Sequence, residues 1–174
     1  MTTKSTQPAP VVLSAANSHL CVEFQWTGDR YGHRVRCGDT VLAESVEGTS
    51  DDVWPDGGPL QQLSLETIGD HDVLFGVGAA GQSHWSLSVE LIDDDFGPGV
   101  KFDWACRTSG SPRFLGSRYQ VNPTAVIRGL GQTHVIGAGP QTTAQCDLAC
   151  VSSGQPHASN GQTGQWTYTV AVAR

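Results

Sequence analysis

The sequence predicts an all-β protein, an antiparallel β-sandwich or barrel of about a dozen short strands. Three observations carry this. Apolar residues recur with a period of two along most of the chain, the spacing that gathers them on one face of a strand. No stretch of about ten residues or more has the 3.6-residue spacing of an amphipathic helix. The third is composition: 21 Gly and 9 Pro in 174 residues, with charged residues at 16% against a usual ~25%, describe many turns and few solvent-facing helices.

Residues 1–10 are polar and rich in Thr and Pro, and the expectation is a flexible tail followed by one β domain over 11–174. In residues 19–26 Leu20, Val22, Phe24 and Trp26 share one face and Cys21, Glu23 and Gln25 the other. A turn at 27–30 leads to 31–37, where Tyr31, His33, Val35 and Cys37 oppose Arg34 and Arg36, so the pair reads as a β-hairpin. Gly38 and Asp39 turn the chain into a strand over 40–46, and the Gly-, Asp- and Pro-rich stretch 47–59 reads as a long loop. Strand signals resume over 60–68, turn at Gly69 and Asp70, and continue in an apolar run over 73–77.

The cleanest alternation is in 83–92: Trp85, Leu87, Val89 and Leu91 on one face, His84, Ser86, Ser88 and Glu90 on the other. Residues 93–99 read as a polar loop, and 100–107 as a strand with Phe102, Trp104 and Cys106 inward. Further strands are expected over 118–121, 125–128, 134–136, 142–151 and 165–173.

Ten basic against 17 acidic side chains give a net charge of −7, with lysine only at Lys4 and Lys101. This composition argues against nucleic acid as a partner, because gripping phosphates takes clustered Lys and Arg. No run approaches the ~18 apolar residues of a membrane span. The N-terminal stretch has no apolar core of the kind a secretory signal carries, so the expected location is cytoplasmic. There the five cysteines, an odd number, are expected as free thiols.

Gly76, Gly78 and Gly81 have the spacing of a dinucleotide-binding loop, but the segment that follows has period two rather than a helix. A glycine-rich hairpin turn is the better reading. Cys146 and Cys150, with His157 beyond, suggest a metal clip. On a strand, however, residues four apart are roughly 13 Å from each other, and the sulfurs of a zinc site lie about 2.3 Å from one ion. Buried core cysteines are therefore expected. The six histidines form no metal-binding pair motif, and no Gly-x-Ser-x-Gly elbow marks a hydrolase.

Two acidic stretches remain. Asp51, Asp52 and Asp56 bracket Trp54, and Asp93, Asp94 and Asp95 are consecutive. Clustered carboxylates suit calcium, which the second triplet would hold, and an aromatic ring beside carboxylates can stack on a flat ligand. The competing reading is that Asp favours turns by bonding its own backbone while Trp54 caps the core. His84, Asp103 and Arg107 add a polar patch if their strands are neighbours.

Three stretches are similar to a family of uncharacterised proteins of planctomycete bacteria: 45–61 around Trp54-Pro55, 81–86, and 102–107 with 115–119. The resemblance spans residues 19–121 and implies no activity. The function expected is a non-catalytic module that binds a ligand or protein partner through its loops, at Trp54 and its Asp neighbours. Two alternatives stand beside it: a metal-dependent enzyme with a site assembled from His84, Asp103 and His134 on separate strands, and a structural or assembly subunit.

Overall fold

Alternating inward and outward side chains produce two antiparallel sheets packed face to face, seen in a computed structural model that describes residues 7–14, 19–137, 140–146, 148, 152–153 and 161–173. The architecture is a sandwich and not a closed barrel, and no α-helix occurs among the described residues. In chain order the strands are β1 (Val11–Ser14), β2 (Leu20–Trp26), β3 (Tyr31–Cys37), β4 (Thr40–Ser45), β5 (Gln62–Ile68), β6 (His71–Ala80) and β7 (Ser83–Asp94). They continue with β8 (Gly97–Thr108), β9 (Gly116–Val121), β10 (Ala125–Leu130), β11 (Thr133–Ile136), β12 (Gln141–Cys146), β13 (Ser152–Ser153) and β14 (Gln162–Val172). One sheet runs β1-β2-β3-β4-β9-β12-β11; the other runs β10-β14-β8-β7-β6-β5, with β13 beside β14.

The expected alternation is realised where it was clearest. Trp85, Leu87 and Val89 of β7 and Phe102, Trp104 and Cys106 of β8 are buried, as are Leu20, Val22 and Phe24 of β2. At the centre Trp104 and Trp166 lie parallel with ring centroids 5.8 Å apart, and Trp85 meets Trp166 edge-on at the same separation. Each such pair contributes about 0.5–1.5 kcal/mol beyond its area burial.

Four local expectations are corrected. Val11–Ser14, not foreseen as a strand, pairs with β2 because Leu13 supplies a side chain that the core buries. The polar loop expected over 93–99 is a tight hairpin: Asp93 and Asp94 pair with Pro98 and Gly97, leaving Asp95 and Phe96 to turn. Of the three glycines that imitate a nucleotide loop, only Gly81 is in a turn, at φ +55°. Gly76 and Gly78 lie inside β6, where a Cβ on Gly78 would stand 1.6 Å from the Pro59 carbonyl oxygen. They are bare because the 58–61 segment packs on them. Finally, the strand expected over 142–151 is observed over Gln141–Cys146, and Asp147, Ala149, Cys150 and Val151 lie outside the described residues, as does His157. Cys146 is buried.

Candidate functional site

The loop between β4 and β5 crosses from one sheet to the other, and its second half is pinned from several sides. Asp56 pairs with the Arg118 guanidinium at 2.9 Å and its carbonyl accepts from the Arg118 backbone N–H. Gly58 lies flat on Trp104, where a Cβ would stand 1.9 Å from the indole ring. The Leu60 carbonyl accepts from the Tyr31 N–H at 2.8 Å, and the Gln61 side-chain amide bonds both backbone groups of Ala79. These anchors bring Trp54, half-buried against the core, to the β6–β7 turn. There it borders a recess of about 520 Å³ with Gln82, Ser83, Thr108, Ser111 and Arg113.

Ser83 is the unusual member of this lining. Its hydroxyl is buried without a hydrogen-bond partner, whereas the Thr108 hydroxyl accepts from the Gly110 N–H. Burial pushes the neighbouring Cys106 thiol up to about 12, and the Ser83 hydroxyl partly offsets the shift. A buried orphan hydroxyl costs about 1–3 kcal/mol, which a ligand or ordered water entering the recess would recover.

On the outer face of the same strands, one residue further along each, His84 and Arg107 are cross-strand partners. They border a second recess of about 500 Å³ with Gln61, Gln62 and Thr163, floored by small residues including Gly78, Ser86 and Ala105. Because strand residues alternate faces, the two recesses lie on either side of one strand pair at the same end of the sandwich. Among the described residues each is lined by one arginine and by no Asp or Glu, in a chain of net charge −7.

The structure therefore brings Trp54, His84 and Arg107 to one end and leaves the aspartates out. Asp52 accepts from the Thr49 N–H at 2.6 Å and from its hydroxyl at 3.1 Å, a turn-forming role, and Asp56 is held by Arg118. Asp51 is exposed. Asp103 accepts from the Thr167 hydroxyl at 3.1 Å, roughly 13 Å along β8 from Arg107. Asp93, Asp94 and Asp95 sit at the far end of β7, roughly 35 Å from the Trp54 recess, and Asp94 accepts from the Phe96 N–H. His134 is on β11 of the other sheet. Among the described residues, no group of three or more His, Cys, Asp or Glu is placed to hold a metal ion.

Sequence reasoning overlooked the polar groups inside the sandwich. His33, buried on β3, lies 2.6 Å from the Tyr119 hydroxyl of β9, which is 2.6 Å from the Tyr168 hydroxyl of β14. Trp104 Nε1 donates to Tyr168 at 3.2 Å. Burial drives the His33 pKa down to about 3, so the ring is neutral, and raises both tyrosines. Glu47, at the start of the Trp54 loop, receives a hydrogen bond from Ser45, and burial pushes it up to about 7. The signal for His33 was present: it alternates in phase with Tyr31 and Val35. None marked Glu47, whose burial depends on distant segments.

No known protein family, curated protein or solved structure matches the chain.

Proposed function

We propose that the protein is a non-catalytic β-sandwich module that binds a polar ligand with a flat face and an anionic group, taken up at the β6–β7 end. One observation carries the reading: two recesses of similar volume flank the same turn, and together they hold the Trp54 ring and two arginines, with no Asp or Glu among the described residues of the lining. Trp54 offers a face for stacking, Arg113 offers bidentate donors for a carboxylate or phosphate, and Ser83 supplies a buried hydroxyl. A reducing compartment such as the cytoplasm is part of this reading, supported among the described residues by the thiols of Cys21, Cys37 and Cys106. No described helix is long and apolar enough to cross a membrane.

The test is an NMR titration with glucuronate, and with glucose as the uncharged counterpart. The expected result is saturable shifts at the amides of Gly81, Gln82 and His84 with glucuronate, weakened at least tenfold by Trp54→Ala or Arg113→Ala. An absence of saturable shifts with either sugar, or binding unchanged in both variants, would overturn the reading.

A further inference from the structure

We infer that the Glu47 carboxyl is a proton-operated latch on the Trp54 loop: its neutral form holds residues 47–54 closed beside the recess, and ionisation releases them. The functional meaning of the latch rests on the reading of that recess as a binding site, but the latch itself does not.

The geometry is that of a built slot. Glu47 packs against two backbone positions that carry no side chain: a Cβ on Gly32 would stand 3.4 Å from Glu47 Cγ, and one on Gly57 would stand 3.2 Å from Glu47 Oε2. Gly32 belongs to β3 and Gly57 to the anchored half of the loop, so the side chain ties the loop's first residues to both. Oε1 accepts from the Ser45 hydroxyl, which in turn accepts from the His33 N–H at 2.8 Å. Oε2 is buried without a partner. A charge on that oxygen is costly, while a neutral carboxyl is far less so. A cavity of about 70 Å³, lined also by Gln25, Thr27 and Arg34, reaches Glu47 from the sheet's outer face and gives the proton a route.

The charged and titratable groups facing the carboxyl leave burial in control. Arg30, from the β2–β3 turn, favours ionisation, but it is paired with Asp29 at 2.8 Å, which opposes it. His33 of β3 is neutral, and Tyr119 of β9 and Tyr168 of β14 are held in their protonated forms. At the cavity mouth Glu44 of β4 engages Arg34 at 3.1 Å, and Glu23 of β2 approaches Arg36 at 3.9 Å. With burial as the leading cause, Glu47 moves from 4.5 to about 7. In an open loop it returns to its ordinary value. Closure is therefore strongest below about pH 4.5, weakens as pH rises to about 7, and stays weak above. Between pH 5.5 and 8 the closed-to-open ratio falls roughly 30-fold.

The experiment is hydrogen exchange on the ligand-free protein at these two pH values, corrected for intrinsic rates. The reporters are the Asp52 amide, bonded to the Thr49 carbonyl at 3.0 Å, and the Thr49 amide. Their protection should fall roughly 30-fold at the higher pH while β7 and β8 amides hold, and Glu47→Gln should remove the dependence. Unchanged protection in the wild type, or an equal loss in the variant, would overturn the latch. Should the variant fail to fold, a carboxyl ¹³C titration of the wild type decides. A Glu47 midpoint near 7 that the loop amides follow supports the latch, and an ordinary midpoint or unresponsive amides refute it. Because no ligand is used, failure here is separate from failure of the binding reading.

Discussion

His33 Nε2 and the Tyr119 hydroxyl lie 2.6 Å apart although 86 positions separate them in the chain. The same hydroxyl is 2.6 Å from that of Tyr168 in the opposite sheet. A line of hydrogen bonds thus crosses the middle of the sandwich, ending where Trp104 Nε1 donates to Tyr168. Polar groups in such a line depend on one another, because each is buried and no water replaces a lost partner.

Tyr119→Phe is therefore expected to cost more than one ordinary hydrogen bond. It removes the partner of both His33 and Tyr168 while leaving the ring in place, so a loss of about 1–3 kcal/mol is expected from urea denaturation. A variant as stable as the wild type would show that the line contributes nothing.

The interior also sets an unusual response to pH. His33 is neutral in the fold, with its pKa lowered from 6.5 to about 3. As pH falls below 6.5 the unfolded chain takes up a proton that the fold cannot, and stability drops by about 1.4 kcal/mol per pH unit. Glu47, raised from 4.5 to about 7, acts with the opposite sign: its contribution is full below 4.5 and is lost as pH rises to about 7. Between about pH 4.5 and 6.5 the two effects oppose each other and nearly cancel. Glu47→Gln leaves His33 uncompensated, so this variant should lose roughly 2–3 kcal/mol between pH 6.5 and 4.5 relative to the wild-type profile. Urea midpoints at a series of pH values measure it, and parallel profiles for the two proteins would refute the compensation.

Gly78 should tolerate no side chain. A Cβ there would meet the Pro59 carbonyl oxygen at 1.6 Å, a backbone atom that cannot step aside without moving the Trp54 loop. Gly78→Ala is expected to cost about 3 kcal/mol or more. Gly110→Ala, whose Cβ would meet only the Thr108 hydroxyl at 3.9 Å, should stay within about 0.5 kcal/mol. Equal melting temperatures for the two variants would contradict this account.

Much of the fold was legible because period two is a local property: β7 needs only its own residues to show which face is apolar. The site was legible in part. Trp54 and the His84–Arg107 pair were recognisable as an aromatic in a polar loop and as outward residues of neighbouring strands. That their recesses share one turn was not, nor was the absence of Asp and Glu from the described lining of either. Asp51, Asp52 and Asp56 looked like ligands by proximity in sequence, and in the fold Asp52 bonds Thr49 through one carboxylate oxygen and Asp56 bonds Arg118 through one of its own.

By itself the sequence determined the all-β class, most of the strands and the inward faces, since those follow from how neighbouring side chains alternate. Tertiary structure alone decided what the irregular residues do. Gly76 and Gly78 became a seat for the 58–61 segment instead of a turn because another part of the chain packs on them. The half-buried Glu47 came to hold one carboxyl oxygen out of solvent because Gly32 and Gly57 close around it from different segments. A side chain's burial and pKa depend on groups remote in sequence, and no local pattern encodes them.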